Sequence, residues 1–235
     1  MKLSQEILSK MEKKYSKYWW KEDEELQYKK ISKDAFKLLI FTVLSQNTSG
    51  ANTRKAYIGL QKKFDVTPSI LANVDVEEIA EAIKPGGLHN IKARRIKKIS
   101  QEIIERYGGD LNKILNKREN LKGELMNLSG IGNKTADVII SSLYGHRNAF
   151  VVDTHMKRVA IRIGIANEKS SYEEIQKALR EIFPWERISE DKEERIAGLF
   201  WLMAKYTCDA RKPKCEECLL KKFCKFYKHH YKKKS

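Results

Sequence analysis

The stretch Leu-Ser-Gly-Ile-Gly-Asn-Lys-Thr-Ala over 128–136 constrains this chain more than any other. Gly130 and Gly132 bracket Ile131 between two helical patterns, Leu121–Leu128 and Lys134–Tyr144, the second ended by Gly145. The spacing predicts a tight helix–hairpin–helix whose backbone takes conformations that only glycine adopts cheaply. Bare N–H groups of such a hairpin point outward at the positive end of the next helix, which makes an anion site. The obvious anion is a nucleic-acid phosphate. Alone, Gly-x-Gly serves as well for a plain turn between helices, so the functional reading needs support from elsewhere.

Charge supplies some. The formal net charge is +16, from 47 Lys and Arg against 31 Asp and Glu. These cations run through the whole chain rather than a tail, and such a surface binds phosphate backbones without reading sequence. A thermophile's charged surface gives a similar count, so charge points to nucleic acid and no further. With 235 residues, 41% of them hydrophobic, the chain can build one large or two modest domains with real cores. No apolar run is long enough to span a bilayer and no secretory signal opens the sequence. The expectation is a cytoplasmic protein without a membrane partner, nucleoid-associated in a prokaryote.

The other patterns are helical too. Residues 5–20 read as an amphipathic helix, Glu22–Glu25 as a surface connection, and Phe36–Leu44 as a buried helix ended by Ser45-Gln46-Asn47-Thr48. A further amphipathic pattern covers 52–64, and Asp75 is placed to cap Val76–Lys84. Pro85-Gly86-Gly87 stops that helix, and Leu88-His89-Asn90 reads as an exposed loop. Leu88 either tucks into the core or serves as a wedge entering unstacked DNA. In the helix over 91–107, Ile96, Ile99, Ile103 and Ile104 share a face, and Lys92, Arg94, Arg95, Lys97 and Lys98 occupy much of the rest. Asp153 could simply cap the helix Thr154–Ile163. Ser171 and Glu174 form a capping-box pattern for Tyr172–Phe183, and a last helix covers 192–207. Phe150-Val151-Val152 is too short to build a sheet, so the fold is expected to be all-α. The segment Lys225–Lys234 reads as a mobile basic extension.

Four cysteines fall within residues 208–224 and none elsewhere: Cys208, Cys215, Cys218 and Cys224, spaced C-x6-C-x2-C-x5-C. In a chain without export signals this clustering argues for metal rather than disulfides. Zinc ribbons use paired C-x2-C knuckles, and only one such pair occurs here. The wider arms favour a [4Fe–4S] cluster over zinc. Between the first two ligands, Arg211, Lys212 and Lys214 form a basic loop pinned at both ends, ready for phosphates.

Together, the Leu-Ser-Gly-Ile-Gly-Asn-Lys-Thr-Ala segment, Val-Asp-Thr-His-Met-Lys-Arg-Val after it and the cysteine spacing resemble the endonuclease III family. These are DNA glycosylases of the helix–hairpin–helix superfamily, and the resemblance runs from about Phe36 to Cys224. It implies two helical domains flanking a DNA-binding cleft. One is a six-helix barrel over 28–146, with the hairpin at 121–144. The other combines 1–27 with 147–235 and holds the [4Fe–4S] cluster. It also implies that Lys134 is the nucleophile and Asp153 the catalytic carboxylate. Leu88 would be the wedge, with His89 where the family has another aromatic. Gly130, Gly132 and His155 would contact phosphate, and the Gln46-Asn47 region would fill the hole left by a flipped base. Here the chain departs from the family: Asn47, not Gln46, aligns with the usual gap-filling glutamine. The Gln-Asn-Thr triplet looks more like relatives that remove alkylated or mismatched bases.

The chemistry follows from the pair. A glycosylase must extrude its nucleotide to reach C1′. An amine nucleophile then displaces the base and forms a Schiff base, and β-elimination nicks the strand. A lysine of ordinary pKa is only about one part in two thousand neutral at pH 7, so the helix N-terminus, partial burial and nearby cations are expected to depress Lys134. Asp153 would stabilise positive charge developing on the sugar, or relay a proton. The leading expectation is a monomeric bifunctional glycosylase and AP lyase. Its partner is double-stranded DNA carrying damaged bases, oxidised pyrimidines in particular, or abasic sites. One rival is a glycosylase for alkylated purines or for uracil and thymine in mismatches. The other is a non-catalytic DNA-binding module with a structural zinc. A yellow-brown preparation with broad visible absorption is expected of the cluster; a colourless, zinc-containing one would exclude it.

Overall fold

The computed structural model describes residues 2–230, and every regular element among them is helical. In chain order the helices are α1 (Gln5–Tyr15), α2 (Glu22–Ser32), α3 (Ala35–Ser45), α4 (Gly50–Lys63), α5 (Pro68–Asn73), α6 (Val76–Ala82) and α7 (His89–Tyr107). They continue with α8 (Asn112–Leu115), α9 (Leu121–Met126), α10 (Asn133–Tyr144), α11 (Thr154–Ile163), α12 (Tyr172–Glu181), α13 (Glu193–Tyr206) and α14 (Lys225–His230). The chain divides into two compact units, Glu22–Ile139 and the pair of segments Met1–Lys21 and Ile140–Ser235.

In the unit Glu22–Ile139, α3 is the most deeply buried element. Its apolar run Leu38, Leu39, Ile40, Val43 and Leu44 is sealed from solvent. Asp34 starts it, one carboxylate oxygen accepting from the N–H groups of Phe36 and Lys37 at 3.0 Å. Helices α5 and α6 pack on α7, which buries Ala93, Ile96, Ile99 and Ile103. Each such isoleucine stabilises the fold by about 1.5–3 kcal/mol. Gly59 on α4 lets backbones meet: a Cβ there would lie 2.2 Å from the Ala82 carbonyl oxygen.

The second unit gathers Met11, Tyr15, Phe150, Val159, Phe183, Phe200 and Met203 into its core. Tyr15 shares a 2.6 Å hydrogen bond with Thr207, and burial pushes its phenol up to about 12. Buried Glu193, at the start of α13, binds the Arg147 guanidinium and accepts from the Arg147 N–H at 2.9 Å. That pair fixes the turn leading into Phe150–Asp153.

Several expectations need correction. The first helix stops at Tyr15 and passes into a 3-10 turn, Ser16–Tyr18. Glu22–Glu25 is the first turn of α2, where acidic side chains suit the positive helix end. Asp75 stands at the N-cap of α6, but its side chain makes no capping bond, and α6 ends at Ala82. Helix α7 begins at His89, so Leu88 alone bridges glycine turn and helix. Lys92 is buried, not on the solvent face. Helix α12 ends at Glu181, short of Phe183. Residues 225–230 form α14, with Phe226 and Tyr227 packed on the core, because the two aromatics have an apolar face to cover. Of the expected extension, 231–234 lie outside the described residues. Among the described residues, no helix is long and apolar enough to cross a membrane.

His146 offers a test of the packing in this second unit. Its Nδ1 is sealed from solvent without a partner among the described residues, and burial lowers the imidazole pKa to about 4, against a smaller upward pull from Glu193. The unfolded chain takes up this proton below about 6.5 and the folded chain only near 4. Stability is therefore expected to fall as pH drops through that window, by on the order of 2–3 kcal/mol from this ring. Urea midpoints at pH 7 and 4.5 should converge more in His146→Gln than in the parent; equal pH dependence would contradict the assignment.

Candidate functional site

The hairpin joins α9 to α10. Gly130 has φ +74°, the left-handed region that favours glycine, and Ile131 is buried beneath the bend. Helix α7 holds it from below. The Glu102 carboxylate accepts from the Ser129 N–H at 2.8 Å and from the Ser129 hydroxyl at 2.5 Å. The Arg95 side chain lies so close that a Cβ on Gly130 would sit 2.1 Å from its Nε. Gly132 differs: its φ is ordinary, and a Cβ there would meet no atom within 4 Å. Only one of the two glycines is thus required by backbone conformation. The open space at the other suits close approach by an outside group. Buried Asp137 pairs with Lys122 at 3.0 Å, fixing α10 against α9. Lys134 stands exposed in the first turn of α10, without the partial burial expected of it.

Two loops of the same unit carry the other candidate DNA contacts. The Gln46 amide donates to the Thr135 hydroxyl at 3.1 Å and to the Gly130 carbonyl at 3.3 Å, while its oxygen accepts from Arg95. Gln46 is therefore braced against the hairpin, next to Lys134. Asn47 is exposed with φ +53°. Leu88 is 53% exposed with φ +50°, so the core-tucking alternative does not hold. His89 is half-buried as the first residue of α7.

Asp153 belongs to the other unit, and both of its oxygens are engaged. One accepts from the Met156 N–H at 2.9 Å and caps α11; the other accepts from the Trp201 indole N–H at 2.7 Å. His155, two residues on, meets the Trp201 ring edge-on at 5.7 Å between centroids, and its Nδ1 lies 3.0 Å from the Arg158 guanidinium. Arg158 also donates to the Cys208 carbonyl at 2.7 Å, linking α11 to the cysteine loop.

The four cysteines line one cavity together with Val159, Ile163, Met203 and Leu220. Among the described residues, no three His, Cys, Asp or Glu side chains converge as a single-ion site. Burial pushes the Cys218 thiol up to about 11 and raises that of Cys224, so as free thiols both hold their protons at neutral pH. The positive charge of bound iron is what would keep them as thiolates. The Arg162 guanidinium donates to Cys208 Sγ at 3.4 Å, to the Asp209 carbonyl at 2.6 Å and to the Ala210 carbonyl at 2.9 Å, and stacks 4.7 Å from the Phe226 ring. Such N–H···S bonding suits the anionic sulfurs of a cluster. Arg211, Lys212 and Lys214 are exposed on the loop, which folds where Asp209 accepts from the Arg211 and Lys212 N–H groups at 2.8 Å.

Sequence reasoning missed Arg95, Glu102, Thr135, Arg162 and Trp201. Only Trp201 carried a signal, since a half-buried indole N–H on an otherwise apolar helix needs an acceptor.

Comparison with known proteins identifies the family. Residues 40–185 match the HhH-GPD superfamily of base excision DNA repair proteins, and residues 208–224 match the iron–sulfur binding domain of endonuclease III. The chain is 36% identical to endonuclease III of Thermotoga maritima over 201 residues, 85% of this chain and 86% of that one. Its fold resembles that of an endonuclease III trapped as a covalent intermediate with DNA, with TM-score 0.70, 29% identity and 95% of each chain covered. It also resembles a thermostable thymine-DNA glycosylase, with TM-score 0.67, 26% identity, and 83% of this chain and 85% of that one covered. The four cysteines thus hold a [4Fe–4S] cluster rather than zinc, and the chain belongs to the HhH-GPD superfamily of base excision DNA repair proteins.

Proposed function

We propose that this protein is a bifunctional DNA glycosylase and AP lyase of endonuclease III type, excising damaged pyrimidines, oxidised ones in particular, from duplex DNA. The observation that carries the reading is Lys134. It is an exposed amine in the first turn after the hairpin, inside the stretch that matches the repair family. The trapped covalent intermediate of an endonuclease III with DNA supports a mechanism through a covalent bond to the strand.

Duplex DNA would dock by its phosphates on the Gly130–Gly132 bend, on His155 and on the loop of Arg211, Lys212 and Lys214. Leu88 enters the stack as the wedge, beside half-buried His89, and Asn47 fills the gap, while Gln46 braces the hairpin. Extrusion of the nucleotide costs a few kcal/mol, least for a damaged base. The Lys134 amine attacks C1′, the bond from C1′ to the base breaks, and the base leaves with a proton. The sugar ring opens to give an iminium joining Lys134 to the strand. Loss of a proton from C2′ then expels the 3′ phosphate, and water releases the lysine. The reaction requires Asp153 to face the same sugar, where its carboxylate stabilises the positive charge that develops at C1′. Its two hydrogen bonds hold it in one orientation for that task. The cluster, held by Cys208, Cys215, Cys218 and Cys224, supplies a rigid anchor for the basic loop. We place the enzyme in the cytoplasm, acting as a monomer.

A second reading, removal of thymine or uracil from mismatches or of alkylated purines, is favoured by Gln46-Asn47-Thr48. The likeness to a thymine-DNA glycosylase supports it as well.

Borohydride should trap the parent protein on abasic duplex DNA and leave Lys134→Ala free; no adduct with the parent would refute the lyase. On oligonucleotides, thymine glycol is expected to be released faster than the mispaired base of G·T or G·U, or a methylated purine, and the reverse order would select the second reading. Asp153→Asn should keep the α11 cap yet slow excision by about a hundredfold or more. Gly132→Ala should leave the urea midpoint within about 1 kcal/mol of the parent while weakening DNA binding about tenfold, through one lost charge-assisted phosphate contact. Unchanged affinity would remove Gly132 from the phosphate site.

A further inference from the structure

Lys92 is the least expected buried group in the unit Glu22–Ile139. It is 2% exposed, and no carboxylate among the described residues pairs with it. A buried ammonium without compensation costs several kcal/mol. Here three oxygens meet its three N–H donors: the Leu44 carbonyl at 2.6 Å, the Gly86 carbonyl at 3.1 Å and the Thr48 hydroxyl at 2.5 Å. Leu44 lies in the last turn of α3, whose carbonyls lack helical partners and favour a cation. Thr48 closes the arrangement by donating to the Gly86 carbonyl at 2.7 Å. One ammonium thereby joins the loop after α3 to the glycine turn before α7.

These two loops carry the only non-glycine residues of positive φ among the described residues, Asn47 at +53° and Leu88 at +50°. Asn47 directly precedes Thr48, and Leu88 follows Gly86 by two positions. The left-handed region costs a branched residue such as leucine about 1–2 kcal/mol, and it persists only where the surroundings over-determine it. Both side chains are exposed, and the strain falls on Leu88, because asparagine enters this region readily. Burial, helped by the charge of Arg95, lowers the Lys92 pKa, which fits an ammonium held by neutral oxygens alone.

We propose that Lys92 is a positioning residue for base extrusion, a clamp that holds the Asn47 and Leu88 tips in their left-handed, outward shapes. The inference rests on the glycosylase reading for the roles of those tips, but the clamp itself concerns how DNA is opened rather than how the glycosidic bond is cut. Lys92→Met keeps the length of the stem and removes every donor.

The test compares the parent, Lys92→Met, Leu88→Ala and the double variant on duplex DNA with 2-aminopurine beside the damaged base. Lys92→Met is expected to lose most of the fluorescence rise that reports unstacking. It should slow single-turnover excision from duplex by about ten- to a hundredfold, the equivalent of two or three lost hydrogen bonds. Trapping on a preformed abasic site in single-stranded DNA, which needs no unstacking, should stay within about threefold of the parent. The double variant should be no slower than the worse single one, since both remove the same wedge. Parent-like unstacking and excision by Lys92→Met would overturn the clamp, as would multiplicative effects in the double variant or an equal loss of single-strand trapping. Should Lys92→Met fail to fold, Thr48→Val takes its place and must show the same split, weaker in size. If the parent fails to trap abasic DNA, the lyase reading falls, and the fluorescence comparison still decides the clamp.

Discussion

The bonds between Arg95 and Gln46 and between Glu102 and Ser129 are what the hairpin's geometry depends on. Both start from α7, a helix whose other face is packed into the core through Ile96, Ile99 and Ile103. A turn built around Gly130 has little stiffness of its own, because glycine loses more conformational freedom on folding than any other residue. Rigidity has to be lent to it. The hydrophobic effect fixes α7, and α7 passes that rigidity to the bend through two short polar contacts. Phosphate recognition by backbone groups needs such preorganisation, since a loose bend would lose entropy on every binding event.

The second unit solves a related problem differently. Its basic loop has no core of its own and hangs from Cys208 and Cys215. Arg162 and Arg158 tie the Cys208 end to α11 through carbonyl oxygens. The same helix is capped by Asp153, and Trp201 on α13 holds the other oxygen of that carboxylate. Cluster loop, helix start and carboxylate are thus joined by a short run of side chains around one buried core. Loss of the cluster would loosen more than the loop.

Much of this was legible in the residues. The run Phe36–Leu44 could only be a buried helix, and Ser171 with Glu174 forms the capping box its spacing announced. Gly130 and the four cysteines were equally readable, because a left-handed turn and a metal cage each restrict which residue types can serve. What was not legible depends on neighbours distant in sequence. Lys92 shares the 92, 96, 99, 103 face with three isoleucines, a spacing that argues for burial. A lysine is nevertheless assigned to solvent unless its acceptors are known, and Leu44 and Gly86 become acceptors only once the loops have folded. Gln46 shows the same limit: its amide looked free to reach DNA, and its partners Gly130 and Thr135 lie more than eighty positions away. Glu22–Glu25 failed for a local reason, since four acidic residues resemble a solvated connection as much as a helix start.

Asp153 carries a constraint of its own. The oxygen that caps α11 and the oxygen held by Trp201 belong to one carboxylate. An amide could keep the cap but would present an N–H₂ where the indole needs an acceptor, and a longer acid would misplace both ends. Neither replacement keeps both bonds. A replacement that spares the helix cap still gives up the bond to Trp201, so the seating of α11 against α13 is sensitive to this one side chain.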